Sequence, residues 1–216
     1  MSIHHHPSEA VLAAYASGAL ADGPSLATAV HLEACTQCRR AVGLLEAVGG
    51  ALIEDVADSA LAPQALDLAL ARIERPNVPR SRPGRRADPR DLGAGRLPKA
   101  LAGRKIGPRR FLAPELWVAH VHSNAPDGWR TYLLHAGKGQ RLLQHGHRGA
   151  ELTTVVYGAF RDETGCYGPG DFAEASDELN HRPAVDGEGA CLCLISAEGG
   201  VKARGLGLLL QPMLQV

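Results

Sequence analysis

The spacing of apolar positions changes character twice along the chain. Over residues 9–20 Ala and Leu predominate, with Val11, Tyr15 and Leu20 available for burial, and Ser8 stands where a helix N-cap belongs. Gly23-Pro24 suits the start of a second helix, because proline in a first turn lacks only an N–H that would have no intrahelical partner. That helix is expected from Pro24 to about Cys35. A third runs from about Gln37 to Ile53 with Ala41, Leu44, Leu45, Val48 and Leu52 on one face. Leu66, Leu70 and Ile73, spaced i, i+4, i+7, mark a fourth after Pro63.

From residue 75 to about 110 the periodicity fails. Prolines at 76, 79, 83, 89, 98 and 108 stand among arginines and glycines. Such a stretch buries too little apolar surface to offset its ordering entropy and reads as a mobile linker. Beyond it the texture becomes β: residues 117–122, 131–134, 152–157 and 190–195 are short strand-like runs separated by Gly and Asp clusters. Many short strands with turn signals predict an all-β barrel or double-sheet jelly roll. The expected fold class is therefore α + β in two separate domains: a small all-α unit over 1–74, a basic linker over 75–110, and an all-β unit over 111–216.

Charge supports that division. The formal net charge is zero, yet residues 1–74 hold nine acids against three Lys or Arg, residues 75–110 two against twelve, and residues 111–216 twelve against eight. Blocks of alternating sign fit two folded units on a basic connector. No apolar run approaches the roughly 18–20 residues that span a bilayer, and nothing at the N-terminus has the pattern of a secretory signal. Five cysteines, an odd number with close spacing, fit a reducing compartment better than a disulfide framework. The expectation is a cytoplasmic protein without a membrane partner. No recognition helix or base-reading motif is visible, so no direct contact with nucleic acid is expected.

Two constellations carry chemistry. His31, Cys35 and Cys38 form H-x3-C-x2-C; on a continuing helix these positions share one face. Three such ligands leave a tetrahedral Zn²⁺ needing one more, and the run His4-His5-His6 can supply it. Spacing does not say which of the three binds; His6, nearest the helix start, is the choice. Thiolate and imidazole suit zinc far better than magnesium or calcium. A closed four-ligand site is structural, and a small helical unit with a thin core gains folding free energy from it. The second constellation is G-x5-H-x-H-x3-E-x6-G from Gly139 to Gly158, with His145, His147 and Glu151. The two histidines, two apart on a strand, point to one face. With the carboxylate they make a divalent-metal site, and His181, beyond Gly170-Asp171-Phe172, is a candidate fourth ligand.

An N-terminal histidine followed by H-x3-C-x2-C resembles the zinc-binding anti-sigma domain, which clamps extracytoplasmic-function sigma factors. The second constellation resembles the first cupin motif at every fixed position. The second cupin motif departs from the general pattern: Gly168-Pro169-Gly170 replaces Pro-x-Gly, and Val185 stands where asparagine is usual. The order of the two units is similar to that in ChrR-type anti-sigma factors, a resemblance that takes in the E-L-T run after the histidines, residues 158–164 and Cys-Leu-Cys-Leu at 191–194. It implies a regulator without catalytic residues that inhibits an extracytoplasmic-function sigma factor until oxidative stress, from singlet oxygen or organic peroxide, releases it. It also implies one zinc on His6, His31, Cys35 and Cys38, and a second divalent ion, zinc again, on His145, His147, Glu151 and His181. The alternative is a cupin dioxygenase or isomerase fused to a zinc module. Cys191 and Cys193 share one side of a strand and are expected to pack in the core. His120, His122 and His135 are expected as half-exposed strand positions, and Cys166 receives no role.

Overall fold

A computed structural model describes residues 2–74, 97–123, 128–199 and 201–203. Four helices come first: α1 (Glu9–Ala16), α2 (Asp22–Ala34), α3 (Thr36–Glu54) and α4 (Ala65–Glu74). Ser8 caps α1, its hydroxyl accepting from the Val11 N–H at 3.3 Å. That helix ends at Ala16, ahead of Gly18, whose positive φ of 71° suits a residue without Cβ. Leu20 is thus outside it. The second helix begins at Asp22 rather than Pro24, which places the proline third in the helix, still among the N–H groups that need no intrahelical partner.

A short 3₁₀ helix (Lys99–Leu101) precedes twelve strands: β1 (Arg110–Ala113), β2 (Leu116–Val121), β3 (Trp129–Ala136), β4 (His145–His147), β5 (Glu151–Tyr157), β6 (Ala159–Arg161), β7 (Cys166–Tyr167), β8 (Phe172–Ala175), β9 (Asn180–His181), β10 (Ala184–Asp186), β11 (Cys191–Glu198) and β12 (Val201–Ala203). They form a six-stranded antiparallel sheet in the order β1-β2-β3-β11-β5-β8 and two three-stranded sheets, β10-β6-β7 and β12-β4-β9. Helices then antiparallel strands match the fold expected from periodicity. Among the described residues, no helix is long and apolar enough to cross a membrane.

The central strands β5 and β11 of the large sheet are buried on both faces, which is why they read as nearly continuous apolar runs. Alternate residues of β11 sort cleanly: Leu192 and Leu194 join Trp117, Ala119, Val121, Leu133 and Leu152 on the outer face. Cys191, Cys193 and Ile195 join Val155, Phe160 and Tyr167 inside. The outer face is covered by α2, through Leu26, Ala27 and Val30, and by Leu101 of the 3₁₀ helix. Polar contacts register this packing. Thr154 Oγ1 donates to the Ala27 carbonyl at 2.8 Å, and Arg104 grips Asp22 through two nitrogens at 2.7 and 2.8 Å. Gly23 lies so close to the sheet that a Cβ there would collide with the Thr131 and Ser196 hydroxyls.

Leu97, Ala100 and Ile106, from the end of the Pro/Arg-rich segment, also pack on the outer-face cluster. Residues 75–96 of that segment lie outside the described residues. A third, smaller cluster (Leu12, Leu32, Cys35, Cys38 and Val42) joins α1 to the α2–α3 corner. Of the face expected on α3, Ala41 and Leu45 pack against this cluster, but Leu44, Val48 and Leu52 are exposed, as are Leu66, Leu70 and Ile73 of α4.

Candidate metal centres

The first centre forms at a helix break. Cys35 is at once the C-cap of α2 and the N-cap of α3, in an extended conformation, and its sulfur accepts from the Cys38 N–H at 3.4 Å. His31, Cys35 and Cys38 therefore meet around the corner between the two helices, where the expected break falls, and not along one continuous helix. His6, on the segment before α1, closes the group: its Nδ1 is 3.4 Å from Cys35 Sγ and 3.3 Å from Cys38 Sγ. One donor atom from each of the four residues lies within 4.8 Å of every other. Metal–sulfur and metal–nitrogen bonds of about 2.3 and 2.0 Å at tetrahedral angles put S and N about 3.5 Å apart, so the spacing fits. Of the other two histidines, His4 Nε2 meets Ser2 Oγ at 2.9 Å, and His5 packs on the Tyr167 ring at 4.3 Å.

The protonation chemistry of the group calls for a cation. His31 is fully buried and its Nδ1–H donates to the Gly170 carbonyl at 2.7 Å, which leaves a bare Nε2 with no hydrogen-bond partner. Burial lowers its pKa, keeping the ring neutral. Burial and the adjacent Cys35 push the Cys38 thiol up to about 12; two thiolates side by side need a positive ion between them.

The β domain supplies that outer support. The turn at 168–171 provides Gly170 O, while the buried Asp171 carboxylate accepts from the His4 and His5 backbone N–H groups at 2.7 and 3.0 Å. Phe172 N–H donates to His5 O at 3.1 Å, and Glu174 accepts from Ser8 N–H at 2.6 Å. The segment bearing His6 is thus laid along the edge of β8.

The second centre lies between the sheets. His145 and His147 on β4 and His181 on β9 converge through their Nε2 atoms, 3.0 Å from His147 to His181 and 3.1 Å from His181 to His145. Two metal–nitrogen bonds of about 2.0–2.1 Å span about 2.9 Å at a right angle and 3.4 Å at a tetrahedral one, so these separations fit neighbouring ligands of one ion. His145 Nδ1–H donates to Leu143 O at 2.8 Å, and His181 Nδ1–H donates to Asp162 Oδ2 at 2.7 Å. Their Nε2 atoms then face each other as bare acceptors, a repulsive arrangement that a cation resolves. Burial, with the neighbouring imidazoles, lowers His147 to about 4, and burial lowers His145 too.

Glu151, expected among the ligands, is buried at the start of β5 but outside the three converging nitrogens. Its Oε2 lies 3.4 Å from His147 Nδ1, and Oε1 accepts from Thr153 Oγ1 at 3.4 Å. Burial raises its pKa to about 7. Asp162, not singled out from sequence, orients His181. Burial opposes its charge, but hydrogen bonds from His181 and Thr164 outweigh that and hold it at about 2. Cys191 and Cys193 line the same interior with sulfurs 3.7 Å apart, both thiols free. His135 stacks on Trp117 at 5.0 Å, on the far side of the sheet.

Residues 110–199 match the family described as the ChrR cupin-like domain. Across 222 aligned residues that span both chains completely, the protein is 39% identical to the anti-sigma-E factor ChrR of Cereibacter sphaeroides. It is 36% identical to a chain in the crystal structure of Rhodobacter sphaeroides SigE in complex with the anti-sigma ChrR, with a TM-score of 0.73 over 91% of this chain and all of that one. An RmlC-like cupin protein from Ralstonia eutropha aligns over 48% of this chain and 69% of its own at 16% identity and a TM-score of 0.42.

Proposed function

The chain belongs to the ChrR family of anti-sigma factors, and from that membership we propose that it binds an extracytoplasmic-function sigma factor through its helical unit and holds it out of transcription. The observation that carries this reading is the bare apolar surface of α3 and α4. Leu44, Val48, Leu52 and Ile53 of α3 and Leu66, Leu68, Leu70 and Ile73 of α4 are between 50 and 80% exposed. Soluble chains rarely present so many without a partner, and the stripes sit at the spacing by which a helix lies in a groove. The partner makes the site of action cytoplasmic.

Zinc occupies the first centre. Its two sulfur and two nitrogen donors are the chemistry that selects this ion, and it holds the segment before α1 against the α2–α3 corner. The cupin cluster takes a second divalent ion, zinc again, on His145, His147 and His181; Glu151, whose Oε2 stands on the Nδ1 side of His147, becomes the fourth donor by turning its side chain. The cupin domain receives an oxidative signal, singlet oxygen or organic peroxide, and relays it to the helices. The support for a relay is the Gly170–His31 hydrogen bond and the Asp171 clasp on residues 4 and 5. A signal releases the sigma factor only by changing the free energies of the bound and free forms unequally.

The test is co-expression with the sigma factor encoded beside the gene, followed by gel filtration. Leu52→Asp combined with Leu70→Asp is expected to abolish the complex while zinc content stays at the wild-type level. A complex that survives both charges removes α3 and α4 from the interface.

A further inference from the structure

We propose that the interior of the cupin domain is a binding site for an aliphatic monocarboxylic acid, its carboxylate turned to the His145–His147–His181 cluster and its chain laid among the apolar side chains of the facing sheets. A cavity of about 340 Å³ occupies this interior, within the range that holds small organic molecules. Leu116, Val118 and Leu134 of the large sheet form one wall, and Leu142, Phe160 and Val185 the other. Its polar lining includes His145, His181, Glu151 and Asp162, and also Arg141 and Gln144.

The strands themselves keep the space open. Alternation sends Leu192, Leu194 and Phe172 to the outer face, where they pack against α2, and leaves the smaller Cys191, Cys193 and Ala173 facing inward. A void costs stability roughly in proportion to its volume. Water is a poor filler where the walls are aliphatic, since each molecule needs two to four polar partners. Leu143, 42% exposed, and the part-buried Leu112 and Leu142 line the same space, so apolar surface continues from the interior to solvent.

The head group follows from the cluster. The three imidazoles are neutral and Glu151 supplies at most one negative charge, so a divalent ion held there would keep net positive charge and could accept a further anionic oxygen. One anionic oxygen donor is therefore favoured. One carboxylate at the cluster leaves the rest of the ligand to the aliphatic lining, which favours an unsubstituted hydrocarbon chain. This inference is independent of the sigma-factor reading.

The experiment is calorimetric titration of the full-length, zinc-loaded protein with decanoate, acetate and decanol. Decanoate is expected to bind one per chain and at least tenfold more tightly than either of the others. Val118→Phe and, separately, Leu134→Trp are expected to weaken decanoate at least tenfold with zinc content unchanged. Absence of decanoate binding, acetate binding as tightly as decanoate, decanol binding as tightly as decanoate, or folded filled-cavity variants that bind decanoate like the wild type would each overturn the proposal. Should both variants fail to fold by circular dichroism, the three-ligand comparison decides alone. Sigma-factor binding is not a readout, so failure here leaves the anti-sigma reading standing.

Discussion

Asp162 controls the tautomer of a metal-binding imidazole without approaching the ion. By accepting from His181 Nδ1 at 2.7 Å it fixes the proton on that nitrogen and turns the bare Nε2 toward His145 and His147. Removing such a support typically lowers metal affinity about 10–100-fold. Asp162→Asn is expected to lose zinc from the cupin within that range in chelator competition, with zinc at the cysteine centre retained; equal affinity at both centres would show that His181 orients itself. At the first centre, Cys38→Ser removes a ligand from a small core and is expected to lose both the ion and much of the helical signal in circular dichroism. The residues of the two clusters were legible because H-x3-C-x2-C and H-x-H are local spacings that keep them within a few residues of one another. The groups that orient them were not. Asp162 meets His181 across 19 positions and Gly170 meets His31 across 139, separations at which no periodicity speaks. Glu151 was expected as a metal ligand, but spacing could not tell that its carboxylate would stand on the Nδ1 side of His147.

Helix lengths explain where sequence and structure part at α3. Its apolar stripe looks like a core face, yet a helix can bury only what a neighbour is long enough to cover. The first helix, with 8 residues, is about 12 Å long, and the third, with 19, about 28 Å. Cover therefore ends near Leu45 and the rest of the stripe is exposed. The segment before α1 shows the reverse case, a short irregular stretch held by backbone bonds to Asp171 and Phe172. Burial opposes the Asp171 charge, but N–H donors from His5, Gly168 and His4 outweigh it and lower its pKa. A carboxylate with a depressed folded pKa contributes stability above its unfolded value that is lost as pH falls through the folded one. Hydrogen exchange at residues 4–6 is therefore expected to quicken, relative to the intrinsic rate, as pH drops below the ordinary aspartate range. Asp171→Ala is expected to give that loosening already at neutral pH. Protection that does not change in either case would mean that the carboxylate is not what holds the segment.

At the scale of the whole molecule, α2 belongs to both units. One side carries Leu32 and the ligand His31 toward the helical cluster; the other buries Leu26, Ala27 and Val30 against the cupin sheet. The charge blocks and the Pro/Arg-rich stretch made two units legible, but not this sharing, because an amphipathic pattern states that a face is covered and not by what. The consequence concerns residues 1–74 produced alone. Cutting away the cupin leaves three apolar side chains of α2 in water and takes from His31 the carbonyl that fixes its tautomer. At roughly 25 cal/mol per Å² of apolar surface returned to water, the fragment loses a few kcal/mol relative to the intact chain. It is expected to bind a hydrophobic dye that the full-length protein does not, and to surrender zinc to a chelator at least several-fold faster. Gly23→Ala in the intact chain reproduces a milder form of the same loss, because its Cβ drives α2 off the Thr131 and Ser196 hydroxyls; overpacking of this kind costs about 1–3 kcal/mol. If the fragment holds zinc as firmly as the whole chain, the two metal centres are energetically separate, and a signal arriving in the cupin must reach the sigma-binding helices by a route other than His31.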